Sequence, residues 1–256
     1  MKAVVVDHPV FGACINLRTD EGDGALVALH GAHVVSWTTA EGAEHLFVSS
    51  LASTRNAIRG GVPICFPQFA GLGELPKHGY ARTAEWRHGG GGRFILDVSP
   101  HMWDGFPSAC ALALEVTLGP RTLVIGLTIH NVGSSPLSFT GALHSYLLVD
   151  DVRTVRVDGF GAEGQTFGEE VDLSFSRVES PALVTVSGEP SVLCAQTGFR
   201  DGVVWNIGAV AAERIADLGK GEWLRYVCVE AAALQSVNIS PGERWTGTQT
   251  LVALSA

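Results

Sequence analysis

His144 is the histidine whose surroundings best suit acid–base chemistry. It lies in the segment GALHSYLLV, where strand alternation would place Ala142, His144, Tyr146 and Leu148 on one face. Because histidine titrates nearest to neutral pH, an imidazole in such a row can act as a general acid or base. The same pattern fits a core histidine satisfied by one hydrogen bond, and the sequence leaves both interpretations open.

Glu230 is a second candidate for proton transfer. It ends the predicted strand segment LRYVCVE, in which Leu224, Tyr226, Cys228 and Glu230 share a face. A carboxylate in a largely apolar row is costly to bury without a partner, and burial would raise its pKa. Either Glu230 lies at a strand end in water, or the chain tolerates the cost of burial for function.

The stretch from Arg59 to Arg82, RGGVPICFPQFAGLGELPKHGYAR, gathers cationic side chains in an otherwise acidic protein. Its five glycines and three prolines predict a shaped surface loop, because glycine is flexible and proline lacks a backbone donor. Arg59 and Arg82 could grip a phosphate through paired, charge-assisted hydrogen bonds. They could equally belong to a solvated surface or form salt bridges with Glu74 and Glu85.

Other polar residues give weaker signals for metal binding or glycoside hydrolysis. The spacing of His30 and His33 suits a helix, but they flank Gly31 between two predicted strands, so we predict no metal site. Asp150 and Asp151 could supply half of a glycosidase carboxylate pair. They follow a strand without an evident partner, which favours a solvated turn. We therefore expect neither a metal nor another cofactor.

Composition restricts the class of ligand. The chain has 256 residues, a formal net charge of −9 and a pI near 5.4. Nucleic acid would repel such a protein at long range, whereas the locally basic loop suits a small anion. No apolar run approaches the ~20 residues of a spanning helix, and MKAVVVDHPVF lacks the pattern of a signal peptide. Five cysteines without a CxxC pair indicate buried free thiols, so we expect a cytoplasmic protein that binds no membrane.

The elements that must position these residues are predicted to be strands. Short apolar runs separated by Gly, Pro, Asn and Asp recur along the chain, about fifteen in all. Only Val210–Leu218 has a helical pattern, with Gly219 placed to end it. Since no linker is evident, we expect one domain over residues 1–256. It should be all-β, a large antiparallel sandwich with one or two short helices.

A set of short motifs occurs in a characteristic order along the chain. The motifs are AIRGGVPICFPQF at 57–69, HGYAR at 78–82, EW at 85–86, GALHSYLLVDD at 141–151, VD at 171–172, VVWN at 203–206, VCVEAA at 227–232 and SPGERW at 240–245. In this order they resemble the hexose-6-phosphate mutarotases (glucose-6-phosphate 1-epimerases), a branch of the aldose 1-epimerase superfamily. The set covers nearly the whole chain, and it is specific although each motif alone is weak.

The resemblance implies a fold and a set of site residues. The fold would be the galactose mutarotase-like β-supersandwich, in agreement with the all-β pattern. His144 and Glu230 would be the catalytic pair. The arginines would bind the phosphate, and other residues would hold sugar oxygens or line the site; the implied substrate-binding residues are Arg59, Lys77, His78, Arg82 and Asp172.

Four positions depart from the pattern that the resemblance implies. Lys77 stands where a neutral residue often precedes HG, Tyr80 and Thr83 replace the commoner Phe and Asn, and Phe175 replaces an aromatic hydroxyl. These changes concern the sugar pocket and leave the catalytic pair and both arginines intact. They bear on which hexose phosphate is preferred rather than on the reaction class.

We therefore expect an isomerase, a glucose-6-phosphate 1-epimerase that acts as a monomer on a phosphorylated hexose. One alternative is a mutarotase for unphosphorylated aldoses, in which the basic residues only form salt bridges. Another is a non-catalytic carbohydrate-binding sandwich, in which His144 and Glu230 are structural. The RGG and HGYAR motifs favour the phosphosugar enzyme, and the presence of His144 and Glu230 in their motifs favours either enzyme over a binding module.

Overall fold

Strands dominate the computed structural model, which describes residues 1–254. These residues form nineteen strands, one α-helix and three 3₁₀ helices. The strands make three sheets of four, six and nine strands. This confirms the predicted all-β class, although about fifteen strands was too few. The missed strands include two-residue pieces such as Arg87–His88, which are too short to show a period.

The first sheet is a meander of the first four strands, each paired with the next in antiparallel register. Its strands are β1 (Lys2–His8), β2 (Gly12–Arg18), β3 (Gly24–Ala28) and β4 (His33–Thr38). Strand β1 is at the edge and largely exposed, whereas β3 and β4 are largely buried. The inner pair therefore contributes to the core.

The second sheet contains Glu230 and the two strands that flank His144 in the sequence. Its strands are β5 (Ile64–Cys65), β10 (Leu137–Leu143), β11 (Tyr146–Leu148), β14 (Val171–Phe175), β17 (Asp201–Asn206) and β18 (Tyr226–Ile239). The order is β14-β17-β18-β10-β5, and β11 also pairs with β18. The long β18 is therefore central, and its first eight residues are buried.

The third sheet closes the other side of the core. Its strands are β6 (Arg87–His88), β7 (Arg93–Val98), β8 (Cys110–Gly119), β9 (Thr122–Asn131), β12 (Val155–Gly159), β13 (Ala162–Thr166), β15 (Ala182–Val186), β16 (Glu189–Thr197) and β19 (Arg244–Ala253). The order is β13-β12-β15-β16-β19-β9-β8-β7-β6. Along β9 every second residue is buried, which is the mark of a sheet with one face against a core.

One large hydrophobic cluster joins the three sheets. It contains Val27 from the first sheet, Leu143 and Val229 from the second, and Ile125 and Leu251 from the third. Apolar side chains from facing sheets pack into a common interior, as in a β-sandwich. The predicted antiparallel sandwich is confirmed.

The predicted helix at Val210–Leu218 is wrong in extent. The α-helix α1 covers only Gly208–Ala212, and the 3₁₀ helices are Ala81–Thr83, Val152–Thr154 and Glu222–Arg225. After α1 the chain continues in tight turns, and no side chain within residues 1–254 caps the start of the helix. One and a half turns without a cap gain too few hydrogen bonds to propagate. None of the helices in residues 1–254 has the length and apolar composition needed to cross a membrane.

The predicted surface loop between Arg59 and Arg82 lies partly inside the protein. Residues 60–69 are buried, and β5 within them pairs with β10. The apolar side chains of Val62, Ile64 and Phe66 belong to the main core, which explains the burial. Only the second half, residues 71–77, forms the exposed loop that glycine and proline predicted.

Candidate active site

His144 and Glu230 lie next to each other on the wall of one cleft. Nδ1 of His144 is 3.3 Å from Oε1 of Glu230, and the two side chains are 9% and 1% exposed. Within the described residues, neither Nδ1 of His144 nor Oε2 of Glu230 has a hydrogen-bond partner. The interpretation of Glu230 as a strand-end residue in water is therefore wrong. The interpretation of His144 as a core histidine satisfied by one hydrogen bond stays a prediction, because Nδ1 is the one ring nitrogen that is buried without a partner in residues 1–254.

Strand pairing explains why two residues so far apart in sequence meet. Glu230 lies inside β18, which pairs with β10 through Leu143 and Ala231 and with β11 through Tyr146 and Cys228. The predicted single strand at residues 142–149 is interrupted between β10 and β11, and His144 lies in that interruption. The irregular backbone faces the regular strand that carries Glu230, so the two side chains come together.

Hydrogen bonds from neighbouring segments fix this interruption. The backbone N–H of His144 donates to the Pro63 carbonyl at 3.1 Å, and that of Val229 donates to the Ser145 carbonyl at 3.2 Å. The Ser145 hydroxyl donates to Oε1 of Gln249, whose amide in turn donates to the Val229 carbonyl. These buried polar groups are mutually satisfied, which makes the backbone around His144 rigid.

Aromatic rings surround the imidazole. The ring of Tyr146 is stacked on His144 at 4.8 Å with an interplanar angle of 7°. The rings of Trp205 and His78 meet it edge-on at 5.7 and 5.5 Å. The shared face that alternation predicts for residues 144 and 146 agrees with this stacking, although the strand between them is broken. Such contacts hold the ring orientation that directed proton transfer needs.

Arg59 is engaged by residues of two distant segments. Its Nε and Nη2 donate to the two carboxylate oxygens of Asp217 at 3.1 and 3.4 Å, and Nη1 donates to the Tyr146 hydroxyl at 3.2 Å. Burial alone would lower the pKa of Arg59, but Tyr146 and Asp217 raise it above its usual value. The alternative partners considered for Arg59, Glu74 and Glu85, do not pair with it in the described residues.

Arg82 approaches the same cleft from the other end of the loop. Its Nη2 donates to the backbone carbonyl of Lys77 at 2.6 Å, and its buried Nε has no partner in residues 1–254. Within residues 1–254, neither Glu74 nor Glu85 forms an ion pair with Arg82. Arg82 therefore keeps hydrogen-bond donors and a positive charge for a ligand.

A cleft of about 720 Å³ connects all the residues that the sequence singled out as a site. This volume is in the range of small-molecule sites. Asp172 reaches it from β14, where it pairs in register with Trp205 of β17. Its predicted wall residues are all present: Arg59, Lys77, His78, Arg82, His144, Asp172 and Glu230.

Comparison with known proteins places the chain in a family. The model of the aldose 1-epimerase family matches residues 13–167, more than half of the chain. The chain belongs to the aldose 1-epimerase family. A protein of Cenchrus ciliaris, provisionally named glucose-6-phosphate 1-epimerase, is 32% identical over 269 residues, which cover 91% of this chain and 81% of the relative. A protein of Escherichia coli with the same provisional name is 28% identical over 91% of this chain and 83% of its own length.

Solved structures agree with this assignment. A mutarotase (a provisional name) from Salmonella typhimurium aligns with a TM-score of 0.85 and 25% identity, over 100% of this chain and 97% of its own. A galactose mutarotase related enzyme from Lactobacillus acidophilus aligns with a TM-score of 0.73 at 11% identity, over 99% and 98% of the two chains. At that identity the second match shows the fold alone. The galactose mutarotase-like fold and the epimerase class that the resemblance implied are confirmed.

In this epimerase, burial shifts the pKa values of Glu230 and His144 in opposite directions. Burial, followed by the negative charge of Asp172, raises the pKa of Glu230 well above its usual value. Burial, followed by His78, Arg59 and Arg82, lowers the pKa of His144 well below its usual value. Both shifts favour the uncharged forms, a carboxylic acid and a neutral imidazole. The pair then holds one proton that either group can carry.

His78 contributes a defined hydrogen-bond donor. The backbone N–H of Ala70 donates to its Nδ1 at 3.2 Å, and the Cys65 thiol lies at 3.2 Å from the same atom. Since Nδ1 accepts, the ring proton is on Nε2. Burial, Arg82 and Lys77 lower the pKa of His78 to about 3, so the ring stays neutral. A neutral ring with a donor at Nε2 suits a sugar oxygen.

The four departures from the family pattern have different places in the structure. Tyr80 and Thr83 line the cleft beside Lys77. The Tyr80 hydroxyl donates to the Asp104 carbonyl at 2.6 Å, and its ring is stacked on Trp103 at 5.3 Å. Phe175 is not among the residues that line this cleft. Of the residues described, it is therefore the departure with the weakest link to sugar preference.

Two further groups concern metals and glycosidase chemistry. His30 and His33 bind the backbone carbonyls of Asn56 and Gly60 rather than a common centre. A different trio, which the sequence did not suggest, has its ligand-type atoms within 4.8 Å of one another: His144, Cys228 and Glu230. These are zinc-type ligands, but two of them are the predicted acid–base pair, and we assign no step to a metal. Asp150 is exposed in a bend, and the half-buried Asp151 caps the 3₁₀ helix Val152–Thr154, where its carboxylate binds Arg153.

Sequence reasoning missed several residues of the cleft. In the sequence Tyr146 stands out only as a neighbour of His144, and Trp205 only as part of the VVWN motif, although both pack on His144. Arg214 and Asp217 also line the cleft, but their segment was interpreted as a helix. The motif RIADLG places a basic and an acidic residue three positions apart, which could have suggested a role. Nothing in the local pattern indicated Arg59 as the partner of Asp217.

Proposed function

We propose that this epimerase is a glucose-6-phosphate 1-epimerase, which interconverts the α and β anomers of a phosphorylated hexose. The carrying observation is that an acid–base pair 3.3 Å apart shares one cleft with Arg59, Lys77 and Arg82. The provisional names of the relatives from Cenchrus ciliaris and Escherichia coli support the phosphorylated substrate. The chemistry needs one proton donor, one proton acceptor and an anion site, and the cleft offers all three.

The proposed reaction begins with a proton relay within the pair. Oε1 of Glu230 and Nδ1 of His144 lie 3.3 Å apart, and in the proposed relay they align as a hydrogen bond through which the proton passes from Glu230 to His144, which leaves a carboxylate beside an imidazolium. The carboxylate takes the proton from the C1 hydroxyl, and the imidazolium donates its Nε2 proton to the ring oxygen. The C1–O5 bond breaks, and the hemiacetal opens to an aldehyde with a free C5 hydroxyl.

Reclosure reverses these transfers. Rotation about the C1–C2 bond presents the other face of the carbonyl to the C5 hydroxyl. His144 takes the proton of that hydroxyl while Glu230 returns a proton to the carbonyl oxygen. The product is the opposite anomer, and the pair again holds one proton. Each group typically contributes ~10²–10⁴-fold, and mutarotation already proceeds unaided in water, so two positioned groups suffice.

The remaining residues bind the substrate rather than react with it. Arg59, Lys77 and Arg82 supply the positive charge and the donors for the phosphate. His78 donates to a sugar hydroxyl, and the carboxylate of Asp172 accepts from another. Phosphate and ring are thereby held so that C1 meets the pair. In this proposal the enzyme acts as a cytoplasmic monomer on a small ligand, and its net charge of −9 supports the exclusion of nucleic acid.

A mutarotase for unphosphorylated aldoses is the second candidate, because one observation favours it. The charge of Arg59 is already matched by Asp217 in the protein itself. If Arg82 and Lys77 found similar partners, the cleft would have no net attraction for phosphate. Arg82 has no ion-pair partner in the described residues, which favours the phosphorylated substrate.

The test compares two substrates and three ligands. Anomer exchange of glucose 6-phosphate and of glucose is measured by magnetisation-transfer NMR at equal enzyme concentrations. We expect a kcat/KM for glucose 6-phosphate at least tenfold above that for glucose, since one phosphate hydrogen bond to a charged group is worth about 1.5–3 kcal/mol. Glucose 6-phosphate and inorganic sulfate should also raise the Tm, whereas glucose should not. Equal rates for the two sugars would refute the phosphate site.

A further inference from the structure

Among the described residues, Asp217 is the one acidic residue that forms an ion pair with a cationic residue of the proposed phosphate site. Its two carboxylate oxygens accept from Nε and Nη2 of Arg59 in a side-on, bidentate arrangement. The Tyr146 hydroxyl accepts from the third nitrogen, Nη1. A planar guanidinium bonded on two edges has a fixed plane and a fixed position.

The chain around Asp217 is itself fixed, so the carboxylate is a firm anchor. Leu218 is buried in a cluster of apolar and aromatic side chains. The backbone N–H of Gly219 donates to Oε2 of Glu222 at 2.7 Å and to the Ser49 hydroxyl at 3.2 Å. The Glu222 carboxylate also accepts from the Ser49 hydroxyl at 2.6 Å. A side chain added at residue 219 would meet that carboxylate at 2.6 Å, which explains the glycine.

The hydrogen bonds to Asp217 and Tyr146 leave part of the Arg59 guanidinium available for a ligand. A guanidinium has five N–H donors, and three of them are engaged by Asp217 and Tyr146. The other two, on Nη1 and Nη2, have no described protein partner. They belong to an arginine that lines the cleft. The arrangement therefore aligns the arginine without using up its capacity for a phosphate.

Stability is a poor explanation for this ion pair. Both partners are partly exposed, 26% for Arg59 and 37% for Asp217, and pairs of this kind contribute little to folding. An acidic residue beside a phosphate site also repels the ligand. Its presence there is better explained if it orients the arginine that binds the phosphate. The aligned arginine further touches Tyr146, whose ring is stacked on His144.

Resting on the proposed function, we propose that Asp217 is a positioning residue that makes the site specific for the phosphorylated sugar. It acts through Arg59 and does not contact the phosphate. Its removal leaves the charge of Arg59 in place but releases the guanidinium, whose ordering must then come from the binding energy of the phosphate. The effect should therefore appear in the KM of the phosphorylated sugar more than in kcat.

The experiment is a double-mutant cycle on the whole chain. Asp217→Ala, Arg59→Ala and the double variant are assayed by anomer exchange with glucose 6-phosphate and with glucose. Asp217→Asn keeps one accepting oxygen and tests whether the geometry or the charge matters. Asp158→Ala is the matched control, because Asp158 forms a bidentate pair with Arg156 that does not line the cleft. The Tm and circular dichroism of every variant verify folding.

We expect Asp217→Ala to raise the KM for glucose 6-phosphate about five- to tenfold, the order of one lost hydrogen bond. The affinity for inorganic sulfate should fall in parallel, and Asn should restore part of both. The double variant should match Arg59→Ala alone, because Asp217 acts only through that arginine. Asp158→Ala should leave KM unchanged.

The outcomes separate the failure of this inference from that of the proposed function. If the unaltered enzyme uses glucose and glucose 6-phosphate equally, the proposed function fails. If it discriminates, but Asp217→Ala has an unchanged or lower KM, Asp217 does not position the arginine. Effects of Asp217→Ala and Arg59→Ala that multiply in the double variant would also overturn the inference, since they would show independent action.

Discussion

The two ends of the cleft are built from different materials. His144 and Glu230, at the catalytic end, lie in or directly beside regular strands, and both are nearly inaccessible to solvent. The proposed phosphate end, with Arg59, Lys77 and Arg82, consists of turns and the short 3₁₀ helix Ala81–Thr83. There His78 and Gly79 both have left-handed backbone conformations with φ of 64° and 66°. Its arginine Arg59 is partly exposed and already bonded within the protein. In the proposed function, the chemistry depends on the sheet, and the specificity depends on a shaped loop.

The polar groups at the two ends differ in the same way. At the catalytic end, His144 Nδ1 and Glu230 Oε2 are buried and have no hydrogen-bond partner in residues 1–254. A buried carboxyl oxygen without a hydrogen bond costs free energy, which supports a functional rather than a stabilising role for Glu230. At the phosphate end, Arg59 has three donors satisfied by side chains. Removing a group should therefore affect turnover at the first end and binding at the second.

The largest effect is expected from Glu230→Gln, which keeps the shape of the side chain and removes proton transfer. We predict a decrease in kcat of ~10²–10⁴-fold with a small change in KM, because the group acts on the reacting proton. His144→Ala should give a loss of similar size. The double variant should lose little more than either single variant, since the two groups act as a unit. Anomer-exchange NMR at saturating substrate measures these rates.

Glu243→Gln is a control for that substitution, because Glu243 lies in an exposed turn outside the cleft. It should retain the rate of the unaltered enzyme. A Glu230→Gln variant with a near-normal kcat would remove Glu230 from the catalytic pair and leave the catalytic end without a base.

At the catalytic end the shared face of residues 144 and 146 was predictable from the sequence, but the extent of the strand that carries Glu230 was not. Alternation put residues 144 and 146 on one face, and the structure stacks their rings. The chain after Glu230 reads AAALQ, which has low strand propensity, so the strand was predicted to end there. In the structure β18 continues to Ile239, because it is paired with β10 and β17 on its two sides. Tertiary pairing overrode local propensity.

The phosphate end was predictable in composition only. Glycine, proline and basic residues indicated an anion-binding loop, but they could not show that its first half is buried. Arg59 and Asp217 are separated by 158 positions, and no local pattern reports such a contact. The segment of Asp217 was even predicted as a helix. Its turns are stabilised by Ser49 and Glu222, which come from other parts of the chain.

Arg82→Ala should produce the second-largest effect, and it should fall on binding. The lost charge-assisted hydrogen bonds are worth about 1.5–3 kcal/mol, so we predict a KM for glucose 6-phosphate raised ~10–100-fold. The value of kcat should change much less, because the phosphate is remote from C1. Saturation curves for glucose 6-phosphate measure both constants.

Arg87→Ala is the matched control for Arg82, since Arg87 lies five positions on and pairs with Asp97 on the surface. It should leave KM unchanged. If Arg82→Ala lowered kcat as strongly as it raised KM, the division between a catalytic end and a binding end would be wrong.

Gly79→Ala tests whether the backbone conformation of the loop is needed for folding and for phosphate binding. A side chain there would meet the Phe66 carbonyl oxygen at 2.2 Å, and the left-handed φ already disfavours alanine. We predict a loss of about 1–2 kcal/mol in unfolding free energy from urea titration, together with a higher KM. The control Gly71→Ala has open space around its added methyl group and should stay within ~0.5 kcal/mol of the unaltered enzyme. A neutral Gly79→Ala would show that the loop tolerates another backbone.

The smallest expected effect is electrostatic, and it tests whether a charge at the phosphate end changes the pKa of His144 at the catalytic end. The positive charge of Arg82 is one of the causes that lower the pKa of His144, so its removal should raise that pKa. The active free enzyme holds one proton on the pair, and a second proton at low pH removes the base. The acid limb of kcat/KM should therefore lie below pH ~6.5 in the unaltered enzyme. It should move upward by less than about one unit in Arg82→Ala. Profiles measured also with glucose, which carries no phosphate, separate the titration of the protein group from ionisation of the substrate. A limb that stayed fixed or moved to lower pH would mean that the phosphate end has no electrostatic influence on His144, and that the two ends are coupled only through the substrate.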